Sequence, residues 1–298
     1  MLVKDGHIVG FKAYDYRGRV PDELDTELAH KIGQAYARVV APKKKVCVGH
    51  DIRLSSPELA RAVIAGLNAS GVDVVFLGQC GTEEVYFATF HMGLAGGIMV
   101  TASHNPMDYN GIKFVREESR PISADTGLKE IEGEVLKGGF TSAPAPGQVQ
   151  EVDLREEYLA HLLSFVDTSV LKPLKLVMNP GNGCAGPALD ALLPGLPFEV
   201  VKVLWEPDGN FPNGVPNPLL PDNRAITANA VKEHGADLGI AWDGDFDRCF
   251  LFDENGGFVE GYYIVGLLAA QTLQRFPGSK IIHDPRLTWN TLEVVAEA

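Results

Sequence analysis

Three observations predict an α/β protein with mixed, mostly parallel sheets. Short apolar runs of strand length alternate with stretches of helical spacing: 46–49, a helix from 56 to about 70, 72–77, then a helix opened by Gly81-Thr82-Glu83-Glu84 and running toward His91. Such alternation places crossover helices on both faces of a largely parallel sheet. The alternation resumes beyond a Gly- and Pro-rich stretch at 138–148, and 298 residues with 45% hydrophobic composition suffice for two domains or a little more.

The first elements follow Phe11-Lys12-Ala13-Tyr14-Asp15-Tyr16-Arg17-Gly18, after which Leu24, Leu28, Ile32, Ala35, Tyr36, Val39 and Val40 keep helical spacing. Arg17 precedes that helix without a helical partner; such an arginine is most often a solvated surface group, and its functional alternative is a fork aimed at a phosphate. Ser55 and Glu58 have capping-box spacing with Pro57 at the first helical position, and Gly71 closes the helix. The run Gly97-Ile98-Met99-Val100 reads as a buried strand leading into Thr101-Ala102-Ser103-His104-Asn105-Pro106. The hydroxyl of Ser103 is thereby presented at the rim of a sheet, where open α/β proteins bind ligands. The bland alternative is a turn whose side chains bond their own backbone. Asn110-Gly111-Ile112-Lys113-Phe114-Val115 then turns into a strand that brings Lys113 back toward Ser103.

The composition of 138–148 marks a domain boundary, giving units at 1–148, 149–256 and 257–298. A helix over 154–165 and a strand over 174–179 open the second. Gly181-Asn182-Gly183-Cys184-Ala185-Gly186 matches a dinucleotide fingerprint, but Glu199 lies early in its strand and Pro187 follows the third glycine, so a tight structural turn is the better reading and an oxidoreductase the weaker one. Five prolines between Trp205 and Asp222 exclude regular structure there. A helix over 224–234 and a strand over 237–242 lead into Asp243-Gly244-Asp245-Phe246-Asp247-Arg248. A strand over 280–284 and a helix over 289–298 begin the third unit.

Three aspartates at alternate positions repel one another unless a cation neutralises them. The EF-hand pattern fits the acidic residues and even Glu254, but Arg248 stands where that loop needs glycine and strands flank it. A hard, oxygen-ligated cation such as Mg²⁺ serving a phosphate is therefore preferred, with Arg248 suited to a phosphate oxygen. The formal charge of -13 argues against a nucleic-acid partner. No apolar run reaches the roughly 20 residues of a membrane span and no signal-peptide core is seen, so a cytoplasmic protein is expected. Cys47, Cys80, Cys184 and Cys249 form no CxxC pair, and buried free thiols are expected for three of them.

The serine loop, Asn110-Gly111-Ile112-Lys113, the acidic loop and the Tyr14 to Gly18 opening together resemble the α-D-phosphohexomutases, and most of all their bacterial phosphomannomutase/phosphoglucomutase branch, through 47–56, 81–91 and 107–113. The resemblance implies repeated α/β domains and a phosphoserine at Ser103 that exchanges its phosphoryl group with a sugar phosphate. It further implies that Asp243, Asp245 and Asp247 hold Mg²⁺ together with that phosphoserine. Tyr14, Arg17, His104, Lys113 and Arg248 would line the site, Arg286 would be a further substrate contact, and Lys113 or His104 would be the general base. The implied reaction interconverts mannose 6-phosphate and mannose 1-phosphate through a hexose 1,6-bisphosphate and feeds GDP-mannose synthesis. Alternatives are a phosphoglucomutase, a phosphoglucosamine mutase, or a phosphosugar-binding module without turnover. The family has four domains; this chain reaches into the third, short of the sugar-binding loop and the fourth domain's phosphate-binding loop. A C-terminally truncated member with weak or no turnover is thus expected, its oligomeric state open.

Overall fold

In the computed structural model, which describes residues 2–40 and 45–297, the apolar runs become strands with helices on both faces. A ribbon of β1 (Val3–Lys4) and β2 (His7–Ile8) precedes β3 (Asp15–Arg19), α1 (Thr26–Val40), β4 (Val46–His50), α2 (Ser56–Ala69) and β5 (Val74–Gln79). Next come α3 (Thr82–His91), β6 (Gly96–Val100), β7 (Tyr109–Arg116), α4 (Lys129–Lys137) and β8 (Val149–Glu151). Six of these strands form one sheet in the order β3-β7-β6-β4-β5-β8. Strands β6, β4, β5 and β8 are mutually parallel, and β7 is antiparallel to both β6 and β3.

Every residue of β4 and β6 is buried, because alternate side chains enter different layers. Val46, Val48, Val74, Ile98 and Val100 meet Leu28, Ile32, Leu59 and Val63 of α1 and α2, whereas Cys47, Val75 and Met99 meet Val85 and Ala88 of α3. Helices α1 and α2 pack backbone to backbone: a Cβ on Gly66 would lie 2.1 Å from the carbonyl oxygen of His30. Gly66→Ala should therefore force the helices apart and lower stability by about 1–3 kcal/mol, as a thermal melt would register.

The second sheet is built after α5 (Arg155–Leu163) from β9 (Leu174–Asn179), β10 (Phe198–Lys202), β11 (Leu238–Trp242), β12 (Cys249–Phe252) and β13 (Phe258–Val259). Its order is β10-β9-β11-β12-β13, with β9, β10 and β11 parallel and the last two pairings antiparallel. Leu176 and Met178 face Ala185 and Leu189 of α6 (Ala185–Leu192), and Val177, Ala241 and Phe252 face Val231 of α7 (Ala225–His234). Helices α8 (Gly261–Arg275) and α9 (Trp289–Glu297) follow; Ala298, the last residue of the expected helix, lies outside the described residues. No helix among the described residues is long and apolar enough to cross a membrane.

Arg17 lies in strand β3, ahead of α1 as expected, but three local expectations change. The Ser55–Glu58 capping box does not form: Ser55 has helical backbone angles, and its hydroxyl accepts from Asn110 Nδ2 at 2.8 Å instead. Residues 280–284 form no strand, since no neighbouring strand among the described residues offers them a ladder, and Ile282 is 95% exposed. Residues 149–151, which follow the Gly- and Pro-rich stretch, pair with Val74–Phe76 at the edge of the first sheet.

Candidate active site

Strands β6 and β11 each release a loop at their carboxyl ends, and the two loops meet. Ser103, fully buried, takes the left-handed conformation with φ 51 that L-residues rarely adopt. Its Oγ donates to Asp243 Oδ2 at 2.6 Å and accepts from Arg248 Nη2. The approach leaves no space for a side chain between the loops: a Cβ on Gly244 would stand 2.8 Å from the carbonyl oxygen of Ser103. Behind the acidic loop lies the Gly181 to Gly186 turn, whose Cys184 N–H donates to Gly244 O at 3.0 Å. The glycine-rich motif thus serves as a backbone support for the aspartates.

Asp243 and Asp245 are wholly buried and Asp247 partly so. The first turn of α3 holds Asp245: Thr82 N–H donates to its carbonyl at 3.1 Å and Thr82 Oγ1 to its Oδ2 at 2.6 Å. Lys113 Nζ bridges Asp245 at 2.7 Å and Asp247 at 2.5 Å, while Arg248 pairs with Asp243 and, through Nε at 3.3 Å, with Asp247. Burial raises the Asp245 carboxyl, but the Lys113 charge and hydrogen bond outweigh it and hold the group below the ordinary carboxylate range. Burial and the neighbouring Asp245 charge push Asp243 up to about 7. Burial, with Arg248 and then Arg17 nearby, lowers His104 to about 4, so its imidazole is neutral at neutral pH. The neutral ring accepts from Arg248 Nη2 at 2.6 Å through Nδ1, 3.2 Å from Ser103 Oγ.

One oxygen from each of the three aspartates lies within 4.8 Å of the others. Asp245 Oδ1 is buried without any hydrogen-bond donor. An orphaned carboxylate oxygen in an all-oxygen cluster fits a hard divalent cation. Because a ligating carboxylate must be ionised, acidification below the raised Asp243 value should weaken metal binding. Mn²⁺ titrated at about pH 8 and about pH 6 should bind about tenfold less tightly at the lower pH; a flat profile would exclude Asp243 as the controlling ligand.

Residues 9–142 match the family model described as phosphoglucomutase/phosphomannomutase, alpha/beta/alpha domain I, and residues 156–257 match alpha/beta/alpha domain II of the same family. The chain belongs to the phosphoglucomutase/phosphomannomutase family. Among its relatives, the "phosphohexose mutases" protein of Xanthomonas campestris pv. campestris is 62% identical over 289 residues, covering 97% of this chain and 64% of that protein. A phosphomannomutase of Vibrio cholerae serotype O1 is 56% identical over 297 residues, again 97% of this chain and 64% of the relative. The crystal structure of a phosphoglucomutase/phosphomannomutase family protein from Burkholderia thailandensis superposes with a TM-score of 0.89 at 35% identity, covering 97% of this chain and 64% of that one. The chain thus spans about 64% of the length of the curated relatives it matches.

In this family member, Tyr14, Arg17, His104, Lys113 and Arg248 line one cleft of about 580 Å³ beside the two loops. Tyr14 is exposed at its mouth; Arg17 donates to Ala102 O at 3.1 Å and to Asn105 Oδ1. The ammonium of Lys113 goes to the acidic loop and not to the serine. Arg286 is not among the cleft residues; it pairs with Asp284 at 2.5 Å on an exposed segment. Cys47, Cys80 and Cys184 are buried free thiols and Cys249 is exposed. Sequence reasoning missed Thr82 and the buried pair Asp51 and Arg53. Their signal was an Asp-x-Arg directly after β4, at the same sheet edge as the serine loop.

Proposed function

We propose that this chain carries the phosphoserine and metal half of a phosphomannomutase. It would interconvert mannose 6-phosphate and mannose 1-phosphate through a hexose 1,6-bisphosphate and supply GDP-mannose synthesis. The observation carrying this reading is the contact of Ser103 Oγ with Asp243 and Arg248, which brings a nucleophilic hydroxyl, a metal-competent carboxylate cluster and a guanidinium to one point.

Ser103 Oγ attacks a phosphorus of the bisphosphate; the Oγ–P bond forms as the bond from phosphorus to the sugar oxygen breaks. The reverse step returns the phosphoryl group to a sugar hydroxyl. His104, neutral and 3.2 Å from Oγ, can take the serine proton at Nδ1 once Arg248 Nη2, which donates to that nitrogen, turns to a phosphate oxygen, and the proton then passes to the departing sugar oxygen. Lys113 remains an ammonium between two carboxylates, and burial notwithstanding its own proton is held more tightly than in a free lysine, so it is better suited to charge neutralisation than to proton removal. Arg17 and Arg248 present forks toward the cleft for phosphate oxygens. Mg²⁺ held by Asp243, Asp245 and Asp247 with Ser103 would offset charge on the transferred phosphoryl group. Peptide mass spectrometry after incubation with glucose 1,6-bisphosphate and Mg²⁺ tests this: phosphate on Ser103 is expected, and phosphate on another residue alone would overturn the assignment.

A further inference from the structure

The left-handed serine is held at its carbonyl by a buried arginine outside the cleft and at its amide by Thr101, which the arginine's partner Asp51 fixes. Arg53, 2% exposed, donates through Nη2 to the carbonyls of Ser103 at 2.9 Å and Asn105 at 2.6 Å, and through Nη1 to those of Pro106 at 2.7 Å and Tyr109 at 2.9 Å. Its charge is balanced by Asp51, whose Oδ2 lies 3.4 Å from Nε. The same Oδ2 accepts from Thr101 Oγ1 at 2.7 Å, which leaves the threonine oxygen to accept the Ser103 N–H at 2.8 Å. Phe211, from the proline-rich loop of the second unit, covers the guanidinium at 5.4 Å. That loop is pressed close: a Cβ on Gly209 would be 2.4 Å from Ile52 O.

We propose that Arg53 is a positioning residue for phosphoryl transfer, one that fixes the Ser103 peptide so that Oγ stays on Asp243. The inference rests on the phosphoserine reading above. Only a planar fork reaches four carbonyls from two nitrogens; a lysine is a point charge and satisfies at most part of that set. Three of the four backbone acceptors of Arg53 belong to the serine loop and the fourth, Tyr109, is the first residue of β7, so loss of the arginine frees that loop while the sheet beneath keeps its own ladder. A misplacement of the nucleophile by about 1 Å costs on the order of 100-fold in rate.

The test uses the whole chain as wild type, Arg53→Lys and Arg53→Ala. Two quantities are read: the initial rate of Ser103 phosphorylation by glucose 1,6-bisphosphate with Mg²⁺, and amide hydrogen exchange across residues 101–109 against the rest of the chain. Arg53→Ala should label about 100-fold more slowly, exchange faster only at 101–109, and recover part of its rate with added guanidinium. Arg53→Lys, which keeps the charge if the alanine variant fails to fold, should lose less stability than Arg53→Ala yet still label at least about tenfold more slowly. Wild-type labelling by Arg53→Lys, or unchanged exchange at 101–109, would overturn the proposal. Should wild type itself take no phosphate, the phosphoserine reading fails, and exchange at the Ser103 amide still decides whether Arg53 positions it.

Discussion

Ser103→Ala should take up no phosphate from a hexose 1,6-bisphosphate while folding almost as well as the parent. The hydroxyl is the group that meets Asp243 and Arg248 where the two loops join, and Asp243 keeps Arg248 as a partner when it is removed. The cost is two hydrogen bonds, one to Asp243 and one from Arg248, about 1–2 kcal/mol together, with no buried charge left unpaired. Alanine is no more strained than serine at φ 51. Intact-mass measurement on both proteins reads the uptake, and a denaturant titration reads the stability. Equal uptake by the variant would place the acceptor elsewhere.

Asp245→Ala should do the opposite damage, losing stability as well as metal. The carboxylate is wholly buried and is one of two that compensate Lys113, whose side chain is 11% exposed. Removing it also strips Thr82 Oγ1 at the start of α3 of its acceptor. Breaking one side of a buried ion pair typically costs about 3–5 kcal/mol. Thermal melts should show that loss, and Mn²⁺ titration should show no high-affinity site. Asp247→Asn is the control: its side chain is 22% exposed, so metal binding should fall with much less loss of stability. If Asp245→Ala melts like wild type, Lys113 has found another partner and the pairing is not what holds the loop.

The sequence made the parallel sheets legible because apolar runs and turn formers are local signals. It made Ser103 and the aspartates legible for the same reason, since each cluster lies within six consecutive residues. What it hid depends on contacts between distant segments. Arg53 reads as any arginine before a helix until the fold brings Ser103, Asn105, Pro106 and Tyr109 around it. Ser55 carried a valid capping pattern, yet Asn110, brought across by β7, claimed its hydroxyl. The destination of Lys113 could not be read from a strand pattern either, because its partners come from the second unit. Residues 280–284 show the converse: a good strand sequence stays irregular where no strand among the described residues pairs with it.

The short strand β8 governs how the molecule tolerates being severed. A cut in the glycine- and proline-rich stretch would remove Val149–Glu151 from the margin of the sheet, together with Val152 and Leu154, which pack on Cys47 and its neighbours. The N–H and C=O groups of β5 that now pair with it would be bare, a template on which a second copy can add its own strand. Solubility and self-association of an isolated serine-bearing half are therefore set by a few residues beyond its apparent end, and a half released only after Leu154 keeps its rim closed.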